Sequence, residues 1–254
     1  MSTAAGDSKQ VIDITSDSIL TDTDDIRVTK YSNIETKVDY DVVTNKMKVS
    51  KKESGYLLKT DKKKPKLGVM FVGWGGNNGS TLTASFIANK QKIAWKTRRG
   101  VQKSNWYGSI VMASTINLGL NEKEGAKDTE VFVPMNHIAP FVDPDDIVVG
   151  GWDISKMNLA DSMERAQVLD YELQRLVAPS MVDLVPLPSI YSPDFIASNQ
   201  SGRVDNTIDG TKSEQFAVVR QNIVDFRTEH NLDKVIVLWT ANTERICDII
   251  GSTN

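Results

Sequence analysis

The segment Leu67-Gly68-Val69-Met70-Phe71-Val72-Gly73-Trp74-Gly75-Gly76-Asn77-Asn78-Gly79-Ser80-Thr81 joins an apolar run directly to four closely spaced glycines and a helix start. Glycine has no Cβ, so the backbone of such a turn can approach a ligand closely. The helix that follows presents unpaired N–H groups and the positive end of its dipole to an anion. The segment therefore predicts a strand, a phosphate-binding turn and a helix.

The spacing of these glycines fits a dinucleotide-binding turn only in part. Gly73 and Gly75 match the first two glycines of that fingerprint, whereas the third position falls on Asn78 and Gly79 comes one residue later. A tight strand-to-helix turn without a ligand needs similar residues, so this alternative stays open.

Composition limits the class of protein. With 254 residues, of which 40% are hydrophobic and 25% charged, the chain can form one large α/β domain with appendages. A formal net charge of −3 argues against a nucleic-acid binder, and no apolar run approaches the ~20 residues of a membrane span. The single cysteine, Cys247, excludes an internal disulfide and multi-cysteine metal sites. We expect a cytoplasmic protein without a metal site.

The chain is predicted to have three parts. Residues 1–24 are polar and are expected to form a flexible tail. Residues 25–64 are predicted to be a small β-rich extension, a hairpin or edge strands packed against the main domain, because segments 26–31, 37–43 and 47–50 carry β-branched and aromatic residues. Residues 65–254 are predicted to form the main domain.

Hydrophobic patterns place strands and helices in the main domain. Leu82, Phe86 and Ile87 predict one apolar face of a helix that ends near Lys90. Strands are predicted at 110–113, 147–150, 182–187 and 235–239. The last of these is continuous and β-branched, a pattern typical of a strand buried on both faces.

Two longer helices are predicted between these strands. One apolar stripe runs from Leu159 to Leu176 with Asn158 as its cap, and we interpret it as core packing. The second runs from Phe216 to Phe226, preceded by Thr211 and Glu214 at capping-box spacing. Alternating buried strands and helices predict an α/β fold with a doubly wound parallel sheet.

In such a sheet, ligands bind beyond the carboxyl ends of the strands. Asp153 follows one predicted strand, Ser189 follows another and segment 240–245 follows the last. A ribose-binding acid is missing about 20 residues after the glycine turn, where Lys96, Arg98 and Arg99 stand instead. These cations favour NADP, whereas Asp153 favours NAD, so both cofactors stay open from the residues alone. Structural roles are favoured for His137 and His230, which lack ligand partners at metal spacing.

The same stretches resemble the myo-inositol-1-phosphate synthase family, also called the inositol-3-phosphate synthases. The resemblance lies in Gly73-Trp74-Gly75-Gly76-Asn77-Asn78-Gly79-Ser80-Thr81-Leu82, Gly151-Trp152-Asp153-Ile154, Pro188-Ser189-Ile190-Tyr191, Asp194-Phe195-Ile196-Ala197 with Asn199-Gln200, and segment 233–245. It implies a Rossmann-like NAD-binding domain that is incomplete at its C-terminus. It also implies an NAD-dependent isomerase of inositol and phospholipid biosynthesis, which converts glucose 6-phosphate to inositol 3-phosphate by oxidation, aldol cyclisation and reduction.

The resemblance assigns cofactor roles by position and favours NAD over NADP. It implies that Gly75, Gly76, Asn77 and Asn78 face the pyrophosphate and that Asp153 binds the adenosine ribose. It further implies that Ser189, Ile190, Gln200 and Arg203 line the adenine side, and that Thr240, Ala241, Asn242 and Thr243 lie near the middle of the cofactor.

Members of this family are longer, and their catalytic lysines and tetramer-forming sheet follow the segment matched here. We therefore expect no catalytic residue and no synthase activity in this chain alone, together with marginal stability or association. The homotetramer of the family is an expectation for the complete protein. Two other functions stay open: an NAD(P)-dependent dehydrogenase and a noncatalytic nucleotide-binding protein.

Overall fold

The computed structural model describes residues 12–121 and 129–241. The chain divides into two compact units. The first comprises Met1–Lys64 and Tyr107–Phe141, and the second comprises Pro65–Trp106 and Val142–Asn254. Among the described residues, no helix combines the length and apolar content needed to cross a membrane.

The strands and helices of the described residues are named here in chain order. The strands are β1 (Ile19–Asp22), β2 (Ile26–Asp41), β3 (Lys46–Asp61), β4 (Leu67–Val72), β5 (Ala94–Thr97), β6 (Gly100–Lys103), β7 (Thr115–Asn121), β8 (Thr129–Pro134), β9 (Val148–Asp153), β10 (Leu187–Pro188) and β11 (Lys234–Trp239). The helices are α1 (Asn77–Lys90), α2 (Ile110–Ala113), α3 (Met135–Ile138), α4 (Leu159–Ala166), α5 (Tyr171–Val177) and α6 (Lys212–Glu229).

The first unit is built on antiparallel strands. β2 and β3 form a hairpin of two 16-residue strands, and β1 pairs with the start of β2. The hairpin is as predicted, but its strands are longer than the predicted short segments. Pairing runs without interruption from the pair Ile26 and Asp61 to the pair Asp41 and Lys46. β1 lies within the stretch that the sequence predicted to be a tail.

One predicted strand of the first unit is a helix. Residues Ile110–Ala113 form the single turn α2, and the Ser109 side chain accepts a hydrogen bond from the N–H of Met112. The prediction was wrong because four apolar residues carry no periodicity that separates a strand from a helix. The Ser109 cap stabilises the helical turn by accepting a hydrogen bond from one of its free N–H groups.

The second unit contains a parallel sheet with the order β10-β9-β4-β11. The chain moves outward from β4 to β9 and β10, and then returns to place β11 on the other side of β4. This arrangement confirms the predicted doubly wound α/β fold. It also places a reversal of strand order between β4 and β11, where such sheets form their ligand crevice.

The two faces of β4 contribute to two different hydrophobic clusters. Val69 and Phe71 pack with residues of α1, α4 and α5, whereas Met70 packs with Phe226 of α6. Because successive side chains of a strand point to opposite faces, α6 covers one face of the sheet and the other three helices cover the opposite face. Both clusters are therefore built around the first strand of this unit.

Several helix predictions are confirmed with changed detail. Asn158 caps α4, and Thr211 with Glu214 forms a complete capping box on α6. The predicted helix from Leu159 to Leu176 is broken, because Gln167 adopts φ 50° and ends α4 before α5 begins.

The helix after the glycine turn ends at Lys90, and its predicted apolar face is confirmed in part, because Phe86 and Ile87 pack against the core cluster. Small residues including Ala84 and Ala88 are buried, whereas Leu82 is 40% exposed. The closest packing surface of α1 is thus formed by residues that a search for large apolar side chains passes over.

Two strand predictions were also wrong in part. Of the predicted strand 182–187, only Leu187 lies in a strand, because β10 is Leu187–Pro188 and residues 182–186 form a turn and an irregular segment. β11 was predicted to be buried on both faces, yet Leu238 is 44% and Trp239 is 61% exposed. Among the described residues β11 pairs with β4 alone, so it lies at the edge of this sheet.

Candidate functional site

The carboxyl ends of the four parallel strands meet at one edge of the sheet. Val72 pairs with both Trp152 and Trp239, and Pro188 pairs with Asp153. The glycine turn, Asp153 and the residues after β10 and β11 therefore start from adjacent positions. Polar groups that are distant in the sequence converge here for this reason.

The glycine turn is fixed by backbone hydrogen bonds and close approaches. The N–H groups of Gly73 and Trp74 both donate to the carbonyl of Trp152 at 2.9 Å, and Gly73 adopts φ 84°. A Cβ on Gly79 would lie 2.3 Å from the carbonyl oxygen of Trp74. Only glycine at position 79 allows the first turn of α1 to pack this closely on the turn.

The N-terminus of α1 receives no cap from a side chain. Gly76 is the N-cap residue, and the first turn contains no acidic residue. The first N–H groups of a helix have no partner within the helix, so an anion can accept their hydrogen bonds. This end of α1 is suited to a phosphate.

A buried tryptophan anchors the same turn to α1. The indole Nε1 of Trp74 donates to Oγ1 of Thr83 at 2.8 Å, and that hydroxyl donates to the carbonyl of Gly79 at 2.8 Å. Trp74 is 5% exposed and Thr83 is fully buried. The turn is consequently held in place before any ligand arrives.

Asp153 is a buried carboxylate with an unused acceptor. Its Oδ1 accepts hydrogen bonds from the N–H of Ser155 at 3.0 Å and from Nη2 of Arg203 at 3.1 Å. Its Oδ2 is buried and has no hydrogen-bond partner among the described residues. A Cβ added to Gly75 would lie 3.2 Å from that oxygen, so the acceptor lies directly beside the glycine turn.

A further cation contacts the turn from α4. Nη2 of Arg165 donates to the carbonyl oxygen of Gly75 at 2.7 Å. Partial desolvation lowers the pKa of the Arg165 guanidinium from its ordinary value, the nearby charge of Arg203 lowers it further, and Asp153 acts in the opposite direction. The sequence reasoning missed Arg165. The sequence shows only that Arg165 is a basic residue near the end of a predicted helix. Its contact with the glycine turn depends on how that helix packs.

A cavity of about 320 Å³ opens beside these groups. Five of the residues predicted to form the site line it, namely Asp153, Ser189, Ile190, Arg203 and Ala241. Its walls also include Trp152, Phe195 and Trp239, which the prediction did not name. The volume falls within the range of small-molecule pockets, which are mostly apolar with a few polar groups.

Thr240 joins the end of β11 to the turn. Its N–H and Oγ1 donate to the carbonyl of Val72, and its own carbonyl accepts from Nδ2 of Asn78 at 3.2 Å. Among the predicted residues, this places Gly75, Gly76, Asn77, Asn78 and Thr240 on the turn side of the site.

One described residue of the predicted site, Gln200, lies away from the cavity. Gln200 lies in the 3₁₀ helix Ser198–Arg203, and its Nε2 donates to Oδ1 of Asn199 rather than facing the cavity. Asn242 and Thr243 lie outside the described residues. Lys96, Arg98 and Arg99 are exposed on the β5–β6 hairpin.

The titratable residues of the described ranges 12–121 and 129–241 include no cluster of three or more His, Cys, Asp or Glu that could hold a metal ion. His230 ends α6 and its ring packs edge-on against Phe226, with ring centroids 4.8 Å apart. This histidine therefore has a packing contact of its own.

Comparisons with known proteins agree with this geometry. The sequence profile described as myo-inositol-1-phosphate synthase matches residues 67–254. The chain is 51% identical over 208 residues to inositol-3-phosphate synthase 1 of Bos taurus, covering 82% of this chain and 37% of that protein. It is 53% identical over 199 residues to inositol-3-phosphate synthase of Brassica napus, covering 78% of this chain and 38% of that protein.

A solved structure is similar over nearly the whole chain. The crystal structure of inositol-3-phosphate synthase from Caenorhabditis elegans superposes with a TM-score of 0.87 and 39% sequence identity, covering 96% of this chain and 47% of that one. The chain thus spans well under two thirds of the length of the relatives it matches. By its sequence profile, its relatives and its fold, the chain belongs to the myo-inositol-1-phosphate synthase family.

Proposed function

We propose that this chain is the NAD-binding portion of an inositol-3-phosphate synthase, with the dinucleotide lying across the carboxyl edge of the parallel sheet. One observation supports the proposal most strongly. Oδ2 of Asp153 is buried beside the glycine turn and has no hydrogen-bond partner in the described part of the chain. A buried carboxylate oxygen left unpaired is costly, and a ribose hydroxyl would satisfy it.

The phosphate part of the proposal rests on the N-terminus of α1. Gly75, Gly76, Asn77 and Asn78 would face the pyrophosphate, which would accept hydrogen bonds from the backbone N–H groups at the uncapped start of α1 and interact with the helix dipole. Asp153 would accept hydrogen bonds from the adenosine ribose, in the position that the ribose-binding acid has in dinucleotide folds. That position is reached here because β9 pairs directly with β4.

The cavity supports the assignment of residues to the adenine side and to the middle of the cofactor. Ser189, Ile190 and Arg203 would line the adenine side, whereas Gln200 would have to turn from Asn199 to reach it. Thr240 and Ala241, followed by Asn242 and Thr243, would lie near the middle of the cofactor. Apolar walls such as Phe195 exclude water from a flat ring and leave recognition to the few polar groups.

The reaction is proposed for the complete protein, because this chain covers 37% of its bovine relative. Its substrate would be glucose 6-phosphate and its product inositol 3-phosphate, and bound NAD⁺ would supply the hydride acceptor and later the hydride donor. The contribution of the residues described here is to bind and orient that cofactor. Cytoplasmic location, supported by a single cysteine, and homotetramer assembly are part of the same proposal.

Calorimetric titration of the purified 254-residue chain with NAD⁺ tests the proposal. We expect saturable binding of one NAD⁺ per chain, which Asp153→Ala weakens. Asp183→Ala, at an exposed aspartate outside the site, is the matched control and should bind as the unaltered chain does. Absence of binding by folded protein, or equal binding by both variants, would refute the proposed site.

A further inference from the structure

The peptide group between Gly75 and Gly76 is held at both ends. Its carbonyl oxygen accepts the 2.7 Å hydrogen bond from Nη2 of Arg165, and its N–H donates to the carbonyl of Gly73 at 2.9 Å. In a trans peptide the carbonyl and the N–H point in opposite directions, so these two bonds together define the orientation of the peptide plane. This plane lies immediately before the first turn of α1.

Both residues that flank this peptide are glycines, and the backbone there has unusual freedom. Glycine populates positive and negative φ about equally, so its own dihedral preferences oppose a rotation of the peptide plane less than those of other residues would. Such a rotation would exchange the directions of the carbonyl and the N–H and would break both hydrogen bonds. Among the described residues, the Arg165 side chain is the one that donates a hydrogen bond to the Gly75 carbonyl. This hydrogen bond opposes the rotation.

We propose that Arg165 is a positioning residue for the dinucleotide phosphates: it binds the Gly75 carbonyl and so keeps the glycine turn in the orientation in which the N–H groups at the start of α1 face an anion. The inference rests on the proposed function. A guanidinium is suited to this role because its hydrogen bond to a carbonyl is charge-assisted and because it adds positive charge near an anion site. Its partial desolvation strengthens both effects.

The geometry limits the effect to one part of the cofactor. Arg165 contacts the turn beside the helix N-terminus, whereas Ser189 and Ile190 line the cavity proposed for adenine. Loss of Arg165 should therefore weaken ligands that carry phosphates far more than it changes the binding of adenosine, which Arg165 influences only through the charge of Asp153. A general loss of folded structure would weaken all of them together.

The test compares the affinities of NAD⁺, ADP and adenosine for the 254-residue chain and its variants. We expect Arg165→Met to weaken NAD⁺ and ADP by about tenfold to a hundredfold, the range for a lost charge-assisted hydrogen bond, and to change the affinity for adenosine much less. Arg165→Lys, which retains a cation and a donor, should recover most of the affinity. Arg175→Met, which removes an exposed arginine of α5 that pairs with Glu172, is the control and should change none of the three.

The outcomes separate this inference from the proposed function. Failure of the unaltered, folded chain to bind NAD⁺ would overturn the proposed function and this inference with it. NAD⁺ binding that is unaffected by Arg165→Met, or weakened equally with adenosine, would overturn the inference alone. If Arg165→Met does not fold, Arg165→Gln replaces it: weaker ADP binding than in Arg165→Lys supports the role, and equal binding contradicts it.

Discussion

Arg203 donates a hydrogen bond from Nη2 to Oδ1 of Asp153 at 3.1 Å and leaves Oδ2 of the same carboxylate as a buried acceptor without a partner in the described part of the chain. The Asp153 side chain is 1% exposed, whereas that of Arg203 is 27% exposed. Within this pair the carboxylate is buried, whereas the guanidinium is partly exposed to solvent. A carboxylate half-satisfied in this way is prepared to accept one more donor, which a ribose hydroxyl can supply.

Asp153→Asn should reduce the preference of the chain for NAD⁺ over NADP⁺. The amide keeps the shape of the carboxylate, but the loss of its charge weakens NAD⁺ binding by about tenfold. It also removes the repulsion of a 2′-phosphate, while Arg203 and Arg165 remain as cations near the site. Calorimetric titrations with both dinucleotides measure the change, and Asp183→Asn is the control. An unchanged ratio of the two affinities would contradict the assignment of Asp153 to the ribose.

Gly79→Ala should destabilise the second unit. The new Cβ would lie 2.3 Å from the carbonyl oxygen and 2.7 Å from Cα of Trp74, and neither is the end of a flexible side chain. We expect a loss of about 3 kcal/mol in the free energy of unfolding, measured by urea denaturation. Gly202→Ala has no atom within 4 Å of the added Cβ and should change little. Equal stability of the two variants would show that the turn can relax.

Leu159→Ala should cost about 2 to 5 kcal/mol in the free energy of unfolding, because this side chain is fully buried in the cluster formed by β4, α1, α4 and α5. Leu82→Ala removes the same atoms from a side chain that is 40% exposed, and it should cost less than about 1 kcal/mol. Urea denaturation of both variants makes the comparison. A larger loss of unfolding free energy in Leu82→Ala than in Leu159→Ala would show that Leu82 belongs to the core, as the sequence predicted.

Asp22 should titrate at unusually low pH. Hydrogen bonds from Arg27 and Lys62 lower its pKa from 3.8 to about 2. Because the folded-state pKa lies below the ordinary value, ionised Asp22 stabilises the folded chain at pH above 3.8, and this contribution is lost as the pH falls to about 2. The carboxyl ¹³C shift of Asp22 in NMR spectra measures the midpoint.

Arg27→Gln should raise that midpoint towards 3.8, since it removes the largest cause of the shift. Lys48→Gln, which lies towards the far end of the hairpin, is the control and should leave the midpoint in place. A midpoint near 3.8 in the unaltered chain would contradict the contacts among Asp22, Arg27 and Lys62.

Features that depend on residues a few positions apart could be read from the sequence. The strand, glycine turn and helix of residues 67–90, the cap at Asn158 and the capping box at Thr211 were all predicted and are all present. Each depends on dihedral preferences or on hydrogen bonds that reach no further than one helical turn. The order of such elements then predicts the doubly wound sheet.

Short apolar runs could not be interpreted in the same way. Residues 110–113 form a helix rather than a strand, and the continuous stripe from Leu159 is interrupted at Gln167. Four residues are too few to show a period, and a left-handed residue within a stripe leaves the spacing of apolar side chains almost unchanged. The exposure of β11 depends on which strands pair with it, which no local pattern contains.

The candidate site shows the same division. Residue types alone marked the glycines and Asp153 as candidates, because glycine permits close approach of the backbone and a carboxylate accepts hydroxyl donors. Folding established that β9 lies beside β4, that Arg203 reaches Asp153 and that Arg165 reaches Gly75, a residue 90 positions away in the chain. Contacts at such separations follow from strand register and helix packing across the whole unit, so local sequence patterns carry no record of them.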